Sequence, residues 1–248
     1  MTAPQLATQA VAVIEAAGGR LHYMKAYPSA AEVAALAGSL DAVAILSRQG
    51  PVLAAAMDAA PGLRIIARHG VGVDDVDVAE AVRRGIVVAR APGSNTTAVA
   101  EHTMAMILAL VKQLAPLSAT VAGGGWRGAA QVRDLAGLRL GLLGCGGIGQ
   151  AVARFARGFG MEVAGFSRGG QGGDIPMLPS LDALLARSDV LSLHLPMSPA
   201  ARHVIDARAL ALLPDQAIVV NTARGGLIDE AALLAALEAG RLAGAGLD

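Results

Sequence analysis

Gly141-Leu-Leu-Gly144-Cys-Gly146-Gly-Ile-Gly149 is the stretch that decides the fold. It follows an apolar β-rich run, Leu138–Leu143, and opens a helical pattern, Ile148–Gly158. That strand–turn–helix context is what a dinucleotide fingerprint requires. Each glycine meets a separate physical demand. Gly144 permits the tight turn, Gly146 lets the backbone approach a pyrophosphate, and Gly149 lets the helix pack close on the strand. The diphosphate is then expected at the helix N-terminus, where unpaired N–H groups and the dipole favour negative charge. The chain holds 31 glycines, so a Gly-rich string alone is weak evidence. The agreement of strand, spacing and helix is what raises it above coincidence.

The next strand, Met161–Phe166, sharpens the expectation. Its C-terminal end normally carries an Asp or Glu for the ribose 2′-hydroxyl of NAD, roughly 20 residues after the glycines. Here Ser167-Arg168 stands instead. Without the carboxylate a 2′-phosphate is no longer repelled; Ser167 can donate a hydrogen bond to it, and Arg168 can pair with it or stack on adenine. NADP is therefore expected to be preferred over NAD, the alternative being that Arg168 is a solvated loop residue.

On both sides of this motif, helical patterns alternate with short β-rich runs, the mark of a parallel α/β layer. Toward the N-terminus the expected strands are Ala42–Leu46, Leu63–Arg68 and Ile86–Ala89. The helices among them are Leu6–Ala17, Ala30–Ala37, Val52–Ala59 and Val76–Arg84, with Gly18, Gly38 and Gly85 as left-handed stops. One long connecting helix is expected over Thr97–Leu117, with Glu101 near its positive end, followed by a loop, Gly123–Trp126. Beyond the motif come strands Val190–Leu193 and Ala217–Asn221 and helices Leu181–Arg187, Ala207–Leu212 and Glu230–Ala239. Gly169–Gly173 is expected to be a loop. The fold class is thus α/β with parallel sheets, in two lobes connected by the long helix.

Composition narrows the partners. The 248 residues carry 20 Lys plus Arg and 20 Asp plus Glu, so no excess of positive charge marks out nucleic acid or an anionic membrane surface as a partner. The longest apolar run, Met104–Val111, is far short of the roughly 20 residues needed to span a bilayer. The single cysteine, Cys145, cannot form an internal disulfide, and no Cys/His cluster has metal-ligand spacing. A cytoplasmic protein without a structural metal is the expectation.

Asn221-Thr-Ala-Arg224-Gly-Gly-Leu-Ile-Asp229-Glu230 resembles the arginine signature of the D-isomer-specific 2-hydroxyacid dehydrogenases. Arg68-His-Gly70-Val-Gly72-Val-Asp74 resembles that family's substrate-binding turn, Ala91-Pro-Gly-Ser-Asn95 its interdomain segment, and Val99-Ala-Glu101-His102 the start of its long helix. Leu193-His-Leu-Pro196 and Ala243-Gly-Ala-Gly-Leu-Asp248 match as well, all in family order. The resemblance implies two Rossmann-like lobes, a substrate lobe (residues 1–96) that is discontinuous in sequence and a coenzyme lobe (residues 97–248) inserted into it. It also implies a homodimer formed through the coenzyme lobes, around the long helix and the loop bearing Trp126. It places Gly147 and Ile148 at the pyrophosphate, Ser167 and Arg168 at the adenosine ribose, and Leu195 and Pro196 on the adenine side. Thr222, Ala223 and Asp248 fall at the nicotinamide end.

The chemistry of the residues agrees with that assignment. A 2-keto acid offers a carboxylate and a carbonyl, and the rigid fork of Arg224 can clamp both while polarising the carbonyl for hydride. Backbone N–H groups of Val71 and Gly72 would hold the carboxylate, because glycines 70 and 72 leave the turn unobstructed. Arg48 and Asn95 could reach the rest of the substrate, a solvated surface role being as expected for Arg48. Cys145 reads as an apolar filler, and His69, His102, His194 and His203 read as structural or surface histidines rather than as the general acid.

The family's catalytic Glu and His lie beyond the position of Asp248, and its opening β-strand precedes the helix pattern at Gln5. The resemblance therefore implies a piece truncated at both ends, lacking its proton donor and inactive as it stands. Glyoxylate or hydroxypyruvate reduction leads. D-3-phosphoglycerate oxidation stands second, because a phosphate would need several cations and Arg48 is the only obvious one. A non-catalytic dinucleotide sensor of the corepressor kind is the alternative from another class, and the intact Arg224 signature argues against it.

Overall fold

Among the described residues every pairing between strands is parallel, which forces each connection to cross over through a helix or long loop. The computed structural model describes residues 1–126, 132–170 and 172–248, and the chain divides into two compact units, Met1–Asn95 and Thr96–Asp248.

The first unit runs α1 (Thr8–Ala16), α2 (Ala30–Ser39), β1 (Ala44–Ser47), α3 (Ala54–Ala59), β2 (Ile65–Arg68), α4 (Val78–Arg83) and β3 (Val87–Ala89), with the strands in order β1-β2-β3. Ile45 and Ile66 are buried with Val33, Ala37, Met57 and Ala81 of the flanking helices. α2 starts in a reciprocal cap: the Ser29 hydroxyl accepts from the Glu32 N–H, and the Glu32 carboxylate accepts from the Ser29 N–H at 2.8 Å. No strand precedes α1, yet the first residues are packed. Thr2 N–H donates to Leu46 O at 3.0 Å, and Thr2 and Ala3 are buried.

Gly38 does not stop α2, as the sequence led us to expect. It lies inside the helix, where a Cβ would come within 3.1 Å of the Ala59 carbonyl, so its reason is the close approach of α2 to α3. The left-handed residue after the helix is Asp41, at φ 45°, whereas Gly18 and Gly85 do adopt positive φ.

The second unit continues α5 (Thr96–Val111), α6 (Leu114–Ala122), β4 (Arg139–Leu143), α7 (Gly147–Gly158), β5 (Glu162–Phe166), α8 (Leu181–Leu185), β6 (Val190–Leu193), α9 (Ala207–Leu212), β7 (Ala217–Asn221), α10 (Glu230–Glu238) and β8 (Leu242–Leu247). Its strand order is β5-β4-β6-β7-β8. Alternate residues of the strands feed two cores. Leu140, Leu142, Ile218 and Val220 pack with α5 and α7, while Leu143, Leu191, Leu193 and Val219 face Leu184, Leu210 and Leu233 on the other side. At the N-terminal end of the sheet, the Asp189 carboxylate accepts from Arg139 N at 2.9 Å, Nε at 2.9 Å and Nη2 at 2.7 Å, joining the starts of β4 and β6.

Two expectations are corrected here. The single helix over Thr97–Leu117 is two helices, α5 and α6, bent by 60°. Pro116 explains the break: in a continuous helix it would leave the Lys112 carbonyl without its donor and clash with it. Gln113 instead turns left-handed at φ 48°, so that Pro116 falls in the first turn of α6, where no intrahelical donor is required. The second correction is an addition. β8 pairs with β7 although its Leu-Ala-Gly-Ala-Gly-Leu sequence has none of the β-branched residues that mark a strand. The expected Gly169–Gly173 loop lies partly outside the described residues.

Gly141 sits in β4 where a Cβ would stand 1.9 Å from the Ser188 hydroxyl, which donates to Leu184 O at 2.6 Å. Gly141→Ala is expected to destabilise the protein by about 2 kcal/mol through overpacking. Urea unfolding should show this, with the Gly141→Ala, Ser188→Ala pair more resistant than Gly141→Ala alone.

Candidate functional site

The glycine turn after β4 is built by close contacts. Gly144 has φ 100°, and a Cβ there would lie 2.7 Å from His194 O. A Cβ on Gly149 would lie 2.3 Å from Gly144 O, so the first turn of α7 presses directly on the strand end. Gly146 is exposed, and a Cβ there would meet nothing within 4 Å. The backbone N–H groups that open α7, those of Gly147 and Ile148, belong to the first turn and have no helical acceptor. A helix N-terminus reached over side-chain-free backbone fits a diphosphate.

The other segments expected in the coenzyme site follow the same edge of the sheet. Ser167 and Arg168 follow β5, Leu195 and Pro196 follow β6, Thr222 to Arg224 follow β7, and Asp248 follows β8. Among the described residues, each of the five strands of the second unit is thus followed by a segment expected in that site. The glycine turn lies where the chain leaves β4 toward β5 on one side and meets β6 on the other, the reversal of strand order at which α/β proteins bind ligands.

The turn after β7 is fixed by Asn221, which is buried. Its Nδ2 donates to Arg224 O at 2.8 Å and its Oδ1 accepts from Ala223 N at 3.0 Å, while its carbonyl accepts from Asp248 N at 3.1 Å. Asn221 thus aligns the two segments expected at the nicotinamide end. Arg224 is half-buried, and its Nη1 donates to Ala223 O at 2.8 Å, which orients the guanidinium.

His194 lies beneath the glycine turn. Its backbone N–H donates to Leu143 O at 2.8 Å, and its Nε2 is 3.0 Å from the buried Ser192 hydroxyl. Burial lowers its pKa to about 4, so the imidazole is neutral near pH 7 and shares a proton with Ser192. Burial pushes the Cys145 thiol up, out of the range of a nucleophile. His69 and His102 are exposed, and His203 is half-buried at φ 50°.

In the first unit, Arg48 follows β1 and is exposed, Val71 and Gly72 lie in the turn after β2, and Asn95 is the last residue. What joins the first two is Arg68, to which the sequence reading gave no role. Its Nε donates to Gly72 O at 2.7 Å, and its Nη1 donates to Arg48 O at 2.8 Å and Asp75 Oδ2 at 2.9 Å. The available signal was a long cationic side chain at a strand end, immediately before a glycine-rich turn that needs holding. A hollow of about 570 Å³ in the same unit is lined by Ile14, Leu36, Leu40 and Ile45, with Arg20, His22 and Asp41 among its polar residues. It adds no catalytic group to this turn.

These features define a Rossmann-type dinucleotide-binding unit preceded by a second parallel α/β unit. Residues 104–248 match the family model for the D-isomer specific 2-hydroxyacid dehydrogenase NAD binding domain, and the chain belongs to that family. It is 40% identical over 199 residues to a hydroxypyruvate reductase of Thermotoga maritima, covering 79% of this chain and 65% of the relative. It is 42% identical over 221 residues to a D-3-phosphoglycerate dehydrogenase of Mycobacterium bovis, covering 86% of this chain and 42% of the relative. The chain therefore spans under two thirds of the length of either relative. The crystal structure of the TT0316 protein from Thermus thermophilus superposes with a TM-score of 0.91 at 37% identity, over all of this chain and 80% of that one.

His194 generates a pH prediction. Its folded pKa, about 4, is below the 6.5 of an unperturbed histidine, so the unfolded chain binds the proton first and stability falls as pH drops from 6.5 toward 4. Asp189, whose carboxyl Arg139 holds below the ordinary 3.8, acts in the same direction but at lower pH. Thermal melts between pH 6.5 and 4.5 should show a decline in Tm that His194→Gln flattens; an equal decline in both proteins would exclude His194 as its source.

Proposed function

We propose that the protein transfers a hydride between a nicotinamide dinucleotide and a small 2-keto or 2-hydroxy acid, with glyoxylate or hydroxypyruvate as the acid reduced. The observation that carries this reading is that five parallel strands, among the described residues, are each followed by one of the segments read as the site, with the Arg224 signature after β7. The relative named hydroxypyruvate reductase supports the choice of acid.

When bound, the dinucleotide supplies or accepts the hydride. The chain's own residues bind and orient. Gly144, Gly146, Gly147, Ile148 and Gly149 hold the pyrophosphate on backbone N–H groups and the α7 dipole. Ser167 and Arg168 take the ribose 2′-phosphate, Leu195 and Pro196 the adenine, and Thr222, Ala223 and Asp248 the carboxamide end. Arg224 pairs with the substrate and draws charge toward its carbonyl oxygen, where negative charge develops as hydride arrives. The N–H groups of Val71 and Gly72 hold the carboxylate, with Arg48 and Asn95 at the remainder.

D-3-phosphoglycerate is the second reading, favoured by the 42% identity to a dehydrogenase of that name. Against it, Arg68 is engaged with Gly72, Arg48 and Asp75, which leaves Arg48, the residue after β1, as the remaining cation of these two segments. The protein should reduce glyoxylate or hydroxypyruvate with a higher kcat/KM than phosphohydroxypyruvate. The reverse order would assign the second reading.

The cofactor is NADP in preference to NAD. Dinucleotide titrations should give at least about tenfold tighter binding of NADPH than of NADH, the worth of one charge-assisted hydrogen bond to the 2′-phosphate. Ser167→Asp should reverse the order, and tighter binding of NADH by the unaltered protein would refute the preference.

A second copy of the chain is the proposed protein partner. Leu114 and Val121 on α6 and the nearby Trp126 are 51%, 59% and 86% exposed, an apolar surface suited to a homodimer. Sedimentation should show a dimer that Val121→Glu with Trp126→Ser dissociates; a monomer before substitution would rule it out.

A further inference from the structure

Thr103, on α5, is fully buried and lies against the turn after β7. Its Oγ1 is 2.8 Å from Val99 O and 2.9 Å from the Thr222 hydroxyl. A hydroxyl has one proton and a carbonyl oxygen can only accept. If the Thr103 proton pointed at Thr222, the 2.8 Å approach of its oxygen to Val99 O would carry no proton and be repulsive. The arrangement in which both short contacts are hydrogen bonds is the one with Thr103 donating to Val99 O and Thr222 donating to Thr103.

We infer that Thr103 is a positioning residue that fixes the polarity of the Thr222 hydroxyl, so that Thr222 meets a dinucleotide as a hydrogen-bond acceptor. This rests on the reading above that Thr222 stands at the carboxamide end. A carboxamide has an N–H₂ donor group on one side and a carbonyl acceptor on the other. With its proton committed to Thr103, Thr222 matches the N–H₂ and opposes the carbonyl. The Asp248 carboxylate, joined to the same turn through its N–H and Asn221 O, is also an acceptor, and the amide has two hydrogens to give. Two acceptors together select one of the two orientations related by a half-turn about the bond from ring to carboxamide, which is how a buried hydroxyl one layer away from the ligand gains a part in specificity. Asn221 keeps Thr222 in place for this, since its side chain spans from Ala223 N to Arg224 O.

The test compares NADP with its 3-acetylpyridine analogue, in which a methyl group replaces the amide nitrogen while the carbonyl remains. If NAD is the tighter ligand, its own 3-acetylpyridine analogue is used instead. The unaltered protein is expected to bind the natural dinucleotide at least about tenfold more tightly than the analogue, which has no N–H to give to either acceptor. Thr103→Val keeps the shape and removes the acceptor, so the Thr222 hydroxyl becomes able to donate to the analogue's carbonyl, and the preference should shrink at least threefold. A merely structural role for Thr103 would weaken both ligands alike and leave the ratio unchanged, and that result, in a variant that still binds the natural dinucleotide, overturns the inference. Should Thr103→Val fail to fold, Thr222→Val decides, because Thr222 is only half-buried: a preference reduced at least threefold supports the inference and an undiminished one overturns it. Natural dinucleotide bound with no preference over the analogue in the unaltered protein overturns the inference alone. Binding of neither ligand refutes the dinucleotide reading on which it rests.

Discussion

No side chain fits between the end of β4 and the first turn of α7, and the placing of the coenzyme segments depends on that. With 2.3 Å between Gly144 O and the Cβ that any other residue would bring at position 149, the helix and strand are in backbone contact. That contact aims the helix N-terminus at the crevice of the sheet. It also sets the height of the turn against β6, since a Cβ at Gly144 would lie 2.7 Å from the carbonyl oxygen of His194. The imidazole beneath, neutral and paired with Ser192, fills the space under the turn without placing a second positive charge beside the helix dipole. A diphosphate site made this way relies on shape and N–H groups more than on cationic side chains.

The parts of the molecule set by local chemistry were legible in the sequence, and the parts set by contact were not. Val190–Leu193 and Ala217–Asn221 form strands over the expected residues because β-branched and apolar residues dominate their buried runs, Ser192 and Asn221 being the exceptions. The glycine turn was legible because three backbone demands recur at fixed spacing. β8 was missed because its glycines answer to Leu110 and Met106 of α5, which would come within 3.0 Å and 3.2 Å of a Cβ at Gly244 and Gly246, and such demands leave no mark of propensity. Gly38 was misread for the same reason. The break between α5 and α6 was different: Pro116 was visible, and the apolar pattern around it was allowed to outweigh a residue that cannot sit inside a helix.

The site shows the same division. Arg224, Ser167 and Arg168 declare their chemistry by type. Arg68, Thr103 and Asn221 act by holding other groups, and nothing in a string of letters says that an arginine will spend its donors on Gly72 O, Arg48 O and Asp75. Their role follows from pairs separated in sequence by 20 residues for Arg68 and Arg48 and by 119 for Thr103 and Thr222. Residues proposed to touch ligand can thus be read early, and those that support them only when the fold has brought distant positions together.

The clamp of Asp189 on Arg139 lies at the opposite end of the sheet from the glycine turn. It fixes the alignment of the two central strands where no ligand group is expected, and the apolar layers on both faces continue that hold along their length. The segments that follow each strand then need not keep the sheet in register. Such a scaffold can exchange one acid or one cofactor for another by changing its loop tips, while selection on the far end preserves the frame, so descent within such a lineage would conserve architecture longer than substrate.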